Sequence, residues 1–514
     1  MSKPVHDGRE NASAAIESAR PLIEEGRPYD AEMLLRAELE KEPENQNLLS
    51  HLGVALHDQG RLSECVEILN QAVNLDPSDA FAQVALGASY MRLSDPQSAI
   101  KHYTACLQSD PTHPVAMLGL ADALARTYQY EASADCARRM LEHDSGDISA
   151  SVILARCLRH LGSVEEAVTV LDGIDRIEGN VESLLAAPEV QWKLDLERAR
   201  CLVDIGDHSA AFYFFEKANA RFREANPGWK NLYALFQKDV WAQQVYLDAL
   251  CKRMPKVKGA EAPLFAKPQA FVAGFPRSGT TLLRTILGSH PELGVVQESD
   301  AFGDACVSIP QGLTTSPTPE HVLHTARNKY YADMNARTTD RSYRVLVDIH
   351  PYNTRLAAWM TELFPHAKLV LMVRHPCDVC LSAYMQGFEL NTLTSGMLSL
   401  EDTVQSYVQM MSLWNGAVKA LSLDVLVVRY EDIVSDFQPE VTRVLNHVGV
   451  EWDIRVSEFN RNARSDQPKT ASAHQVIKPL YDTASYRWKK CRSIIEPHFE
   501  SLAPFIEAYG YDLD

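Results

Sequence analysis

The chain has 514 residues, 46% of them apolar and 23% charged, which is the balance of a folded globular protein and not of a disordered or polytopic membrane chain. No apolar run approaches the roughly 20 residues that a bilayer-crossing helix needs, and a net charge of −18 offers no basic face for nucleic acid. The acidity is uneven: residues 1–250 hold 23 Lys and Arg against 39 Asp and Glu, whereas residues 251–514 hold 27 against 29.

The first segment, MSKPVHDGRENASAAIE, has charges where a secretory signal would place its apolar core. We therefore expect a cytoplasmic address, with no membrane and no nucleic-acid partner. Ten cysteines are spread singly except for Cys377 and Cys380, and in such a chain buried thiols are expected ahead of a disulfide framework or a redox pair.

From residue 50 onward, the same residue types return with a period of 34 residues. LGVALHDQGRLSECVEILNQAVNLDP supplies Leu52, Gly53, Leu56, Gly60, Cys65, Leu69, Ala72 and Pro77, and LGASYMRLSDPQSAIKHYTACLQSDP answers with Leu86, Gly87, Tyr90, Ala99, Tyr103, Cys106 and Pro111. Weaker copies follow at Leu120–Leu124, Leu154–Leu171 and, after an irregular stretch near 180–190, Ala199–Ala218. Small residues at two positions of each unit let two helices approach, large ones fill the space between units, and the proline ends the second helix. This pattern resembles the tetratricopeptide repeat. That resemblance implies an α-helical solenoid of paired antiparallel helices, whose usual use is to hold a peptide or another protein. Residues 229–252 read as a further helix capping the array, and MPKVKGAEAPLFAKP as the link to a second domain. The expected division is 1–255 and 256–514.

Past this link the pattern changes to short apolar runs, AFVAGF, YRVLVDI, KLVLMV and DVLVVRY, separated by helical stretches, which is the signature of buried parallel strands in an α/β domain. In FVAGFPRSGTTLLRTILGSH, Gly274 and Gly279 stand five apart like the glycines of a nucleotide-binding P-loop, but Thr280 occupies the place of its lysine. A strand, a glycine turn and a helix in succession cradle an anion on backbone N–H groups. A kinase is disfavoured by the missing lysine.

PRSGTTLL followed by RHPCDVCLSAYM resembles the sulfotransferases that use 3′-phosphoadenosine 5′-phosphosulfate (PAPS), most nearly their protein-tyrosine branch, over residues 268–514. The resemblance implies sulfuryl transfer to a hydroxyl acceptor, with PAPS as co-substrate, the 3′,5′-bisphosphate as product and no metal. It assigns the 5′-phosphate to Arg277, Ser278, Gly279, Thr280 and Thr281, and the 3′-phosphate to Arg374 and Ser382. Tyr430 falls at a nucleotide contact. In TASAHQVIKPLYDTASYRW, it assigns Ser472, Gln475, Val476, Lys478 and Arg487 to the donor, while Tyr486 and Trp488 read as packing residues.

Catalysis needs a base near the acceptor and positive charge near the leaving oxygen. Glu298, 21 residues after Arg277, matches the family's catalytic glutamate, and Arg277 supplies cationic charge. Two departures stand out. Ile349 occupies the place of a lysine and Gln386 that of a further arginine. His350, next to Ile349, is read in four ways: as the replacing cation, as the base oriented by Glu298, as a structural histidine, or beside a site of reduced activity. The acceptor is expected to be a protein tyrosine, with a carbohydrate or small-molecule hydroxyl as the alternative, and an inactive-transferase scaffold is the rival of another class.

Overall fold

The computed structural model describes residues 7–174, 188–253, 269–309, 318–338, 342–461 and 485–514. Its packing divides into two units, residues 1–214 and 215–514.

The first unit is helical. Its helices follow in pairs: α1 and α2 (Asp7–Glu24, Pro28–Leu39), α3 and α4 (Gln46–Asp58, Leu62–Leu75), α5 and α6 (Ala80–Arg92, Pro96–Ser109), α7 and α8 (Pro114–Arg126, Tyr130–His143), α9 and α10 (Ile148–Leu161, Val164–Ile174), then α11 (Pro188–Ile205) and α12 (His208–Ala225), which crosses into the second unit. The 34-residue period is visible atom by atom in the helix starts. Asn45, Asp79, His113 and Asp147 each cap the first helix of a pair, accepting from the N–H of Leu48, Phe81, Ala116 and Ala150 at 3.2, 3.0, 3.3 and 2.9 Å. Such caps satisfy donors that the helix leaves unpaired. The recurring small residue also has a visible purpose: a Cβ at Gly53 would lie 2.3 Å from Leu69 Cδ2, and one at Gly87 2.5 Å from Tyr103 Cε1. Each glycine lets the second helix of its pair drive a large side chain against the first. The expected repeat solenoid is the fold observed, and α1 and α2 add a pair ahead of those read from the sequence.

The second unit starts within α12 and continues through α13 (Trp229–Arg253). Where the sequence suggests a cap on the array, α13 instead packs within the second unit. Asp239 accepts from Arg355 Nε at 2.7 Å, Gln243 accepts from Trp359 Nε1 at 3.1 Å, and Tyr246 stacks on Trp359 at 3.8 Å. These residues recur every three or four positions and so form one helix face. The helical period was legible, but its partner was not.

Five parallel strands follow, β1 (Gln269–Gly274), β2 (Leu293–Gln297), β3 (Val345–Ile349), β4 (Lys368–Val373) and β5 (Val425–Arg429), in the order β2-β3-β1-β4-β5. The connecting helices are α14 (Thr280–Gly288), α15 (Ala301–Val307), α16 (Glu320–Arg337), α17 (Ala357–Leu363), α18 (Pro376–Tyr384) and α19 (Leu400–Leu421), and α20 (Tyr430–Ser435) and α21 (Phe437–Val448) follow β5. β2 was absent from the sequence reading because LGVVQ is short and interrupted by glycine. A Cβ on Gly294 would lie 2.6 Å from the Tyr343 ring, so the aromatic side chain occupies that space. Val272, Val347, Val370, Met372 and Val428 lie in one apolar core with Leu283, Ile286 and Leu445. In this order β1 lies between β3 and β4: the chain runs from β1 to β2 and β3 on one side, then crosses from β3 to β4 on the other. The strand order therefore reverses at β1, and the carboxyl ends of strands at such a switch point are where open α/β sheets bind ligands.

Candidate active site

The turn from β1 into α14 lies at that switch point. Ser278 N–H bonds back to Phe275 O at 3.0 Å, and Leu283 N–H makes the first intrahelical bond, to Gly279 O at 3.1 Å. The N–H groups of Thr280, Thr281 and Leu282 thus precede the helical ladder and, with the helix dipole, favour an anion. Two backbone positions are left-handed, Arg277 at φ +74° and Gly279 at φ +106°. At Gly279 a Cβ would lie 2.7 Å from Met372 Cε and 2.8 Å from Tyr430 Cδ2. Glycine is therefore required there both for its φ and for close approach. The buried Ser278 hydroxyl has no hydrogen-bond partner among the described residues, as expected of a group that waits for a ligand oxygen.

Folding brings the second predicted anion site onto this turn. Arg277 Nε donates to Ser382 Oγ of α18 at 3.1 Å, across 105 residues. Arg374, buried where β4 ends, carries its guanidinium 5.3 Å over the Tyr430 ring, and Tyr430 lies against Gly279. Thus Arg277, Ser278, Gly279, Thr280, Thr281, Arg374, Ser382 and Tyr430 form one cluster although they come from three separate stretches of chain. Gln386 is half-buried just beyond α18. Cys377 and Cys380 are buried thiols within α18, and all ten cysteines are free.

The start of α18 is held from several sides. His375 accepts from Cys377 N–H through Nδ1 at 3.3 Å and donates through Nε2 to Asp512 O at 2.8 Å. Glu431 accepts from His375 N–H at 3.0 Å and from Tyr511 OH at 2.6 Å. Asp378, absent from the sequence reading, faces Arg374 at 3.6 Å and accepts from Trp488 N–H at 2.7 Å. An acidic residue four positions after an arginine and inside the first helical turn was a usable signal for it. Trp488 is fully buried. Arg487, by contrast, is exposed and makes no hydrogen bond or ion pair with a described residue. Ser472, Gln475, Val476 and Lys478 lie outside the described residues.

Glu298 follows β2, with φ +50°, its N–H bound to Ile349 O at 2.8 Å. Gln297 Nε2 donates to its carboxylate at 3.2 Å and to Thr281 Oγ1 at 3.4 Å, connecting the candidate base with the turn from β1 into α14. The side chain keeps contact with solvent, yet the protein packed around it raises the carboxyl above its ordinary range, with the Gln297 bond and Arg277 pulling the other way. Ile349 is wholly buried in the sheet core. His350 is buried, and burial with nearby Arg355 lowers its pKa to about 4. Its Nδ1 accepts the N–H of Tyr352 at 3.2 Å, which places the ring proton on Nε2, 3.9 Å from Asp300. At neutral pH this ring is a neutral donor.

Comparison with known proteins bears on both units. Residues 268–454 match the model of the sulfotransferase family, and residues 18–145 match a tetratricopeptide-repeat model. An uncharacterized protein of Aquifex aeolicus is 26% identical over 312 residues, covering 58% of this chain and 39% of its own length. Protein-tyrosine sulfotransferase A of Caenorhabditis elegans is 25% identical over 271 residues, covering 48% of this chain and 67% of its own. A tetratricopeptide repeat protein from Parabacteroides merdae aligns in structure with TM-score 0.36 and 20% identity over 44% of this chain and 85% of its own. The chain therefore joins a tetratricopeptide-repeat segment to a segment of the sulfotransferase family.

Proposed function

We propose that the chain transfers a sulfuryl group from PAPS to a hydroxyl acceptor, foremost a protein tyrosine, releasing adenosine 3′,5′-bisphosphate. The repeat array recruits the acceptor protein or a partner. The Arg277–Ser382 bond of 3.1 Å carries this reading. It joins the 5′-phosphate turn to the Arg374 pair at one switch point, which suits a nucleotide phosphorylated at two positions better than a triphosphate.

The residues present fit such a donor. The Ser278 hydroxyl, without a hydrogen-bond partner among the described residues, and the N–H groups of Thr280 and Thr281 would hold the 5′-phosphate. Arg374 and Ser382 would hold the 3′-phosphate, the arginine by its two-toothed fork. When bound, the donor supplies a sulfuryl group activated by a phosphate leaving group. Glu298 takes the acceptor proton, a task aided by its raised pKa and worth about 10²–10⁴ in rate. Arg277 supplies the positive charge that Ile349 does not. The neutral His350 acts as a donor through Nε2, which favours Glu298 as the base. No metal takes part in this scheme. Free thiols throughout support a reducing, cytoplasmic setting.

The test is calorimetry of the full chain with adenosine 3′,5′-bisphosphate and with AMP, followed by incubation with sulfur-labelled PAPS and a lysate of its own cell. Preference for the bisphosphate and label on protein tyrosine are expected. Absence of binding would remove the donor reading. Label on glycan or small molecules would replace the acceptor, and binding without transfer would leave a scaffold, the outcome that the buried Ile349 favours.

A further inference from the structure

Asp378 lies in the first turn of α18, four residues after Arg374, and is 2% exposed. Its two oxygens have separate partners. Oδ1 accepts the backbone N–H of Trp488 at 2.7 Å, 110 residues away. Oδ2 faces Arg374 Nη2 at 3.6 Å and accepts no hydrogen bond among the described residues. That separation exceeds a hydrogen bond, so Asp378 attracts the guanidinium without fixing one of its N–H groups. Burial raises the carboxyl of Asp378, and Arg374 is the chief influence opposing it, followed by the Trp488 N–H. A carboxylate this buried stays ionised only with such partners.

Trp488 is itself anchored. Its ring stacks on His375 at 4.8 Å and 19°, and meets Phe499 edge-on at 5.7 Å. His375 caps α18 and directly follows Arg374 in sequence. The segment beginning at Tyr486 is thus held to the residues that aim Arg374, and Asp378 is a carboxylate that meets both.

We propose that Asp378 is a positioning residue that sets the Arg374 guanidinium for the 3′-phosphate and couples that setting to the docking of residues 486–491. This rests on the donor reading given above, in which Arg374 contacts the 3′-phosphate.

Asp378→Asn retains an oxygen for the Trp488 N–H and removes the charge facing Arg374. In calorimetry on the full chain, we expect this variant to bind adenosine 3′,5′-bisphosphate at least tenfold more weakly while AMP affinity changes less than twofold. A merely structural role would weaken both nucleotides alike. In an Arg374→Ala background the same substitution should add no further loss, because its partner is already gone. The proposal falls if Asp378→Asn keeps the wild-type preference, weakens both ligands equally, adds fully to Arg374→Ala, or loses its cooperative melt. If the wild-type chain does not prefer the bisphosphate to AMP, the donor reading fails and takes this proposal with it. A wild-type preference that survives in Asp378→Asn overturns the role of Asp378 alone.

Discussion

The two units use glycine over different ranges of sequence, and the contrast separates local from long-range packing. In the array, Gly53 and Gly87 make room for Leu69 and Tyr103 of the next helix, 16 residues along in each case. Neighbours in space are neighbours in sequence, as in any solenoid. At the sheet switch point, Gly279 makes room for Met372 and Tyr430, 93 and 151 residues away, and its φ of +106° turns the chain into α14. The array thus packs its small residues against the next helix, while the second unit packs this one, in a left-handed turn, against side chains brought from distant elements. Local contacts of the first kind also form with little loop-closure cost, unlike the long-range pairings of the parallel sheet.

This contrast can be broken by substitution. The largest expected effect is on chemistry: Glu298→Gln should lower turnover by about 10²–10⁴ with bisphosphate affinity preserved, read by initial rates and calorimetry. Wild-type turnover in that variant would move the base elsewhere. Next, Leu69→Ala, at a site with no exposure, should cost the array about 2–5 kcal/mol in denaturant melts without weakening nucleotide binding. A parallel loss of binding would erase the distinction between the units.

Gly279→Ala should weaken bisphosphate binding by about 10–100-fold, since a side chain at φ +106° is both strained, by about 1–3 kcal/mol, and in collision with Met372 and Tyr430. Its control is Gly162→Ala, at φ +88° with nothing within 4 Å of the added carbon, where only a stability cost of about 1–2 kcal/mol is expected and binding is unchanged. Equal behaviour of the two variants would mean that close approach at the turn is irrelevant.

The smallest effect concerns Asp348, buried in β3, whose carboxyl accepts from Tyr330 OH at 3.1 Å and is pushed up to about 7 by burial. The folded chain keeps a proton here that the unfolded chain releases above about pH 4. This group therefore takes stability away as pH rises from about 4 to 7, and its effect is level beyond. Asp348→Asn, which resembles the protonated acid, should match the wild type in melting temperature near pH 4 and exceed it at pH 8, by about 2–4 °C per kcal/mol of penalty removed. Equal melting temperatures at both pH values would show that the carboxyl is ionised without cost.

Much was determined by the sequence alone, wherever the physics was local. The 34-residue period reports side chains that meet one helix apart, and the caps Asn45, Asp79, His113 and Asp147 fall on the same interval. The strand–turn–helix around Arg277–Thr281 is contiguous, so its local form could be read directly. Tertiary structure decided whatever depends on which distant element arrives: that α13 packs in the second unit through Asp239, Gln243 and Tyr246, that a short glycine-bearing β2 completes the sheet, that Ser382 meets Arg277, and that Asp378 bridges Arg374 and Trp488. The ring proton of His350 was also settled there, by the Tyr352 N–H and by burial. Periodicity records which face of an element is apolar, but an acid's charge or a histidine's tautomer is set by the atoms folded against it, and those are named only once the chain has closed.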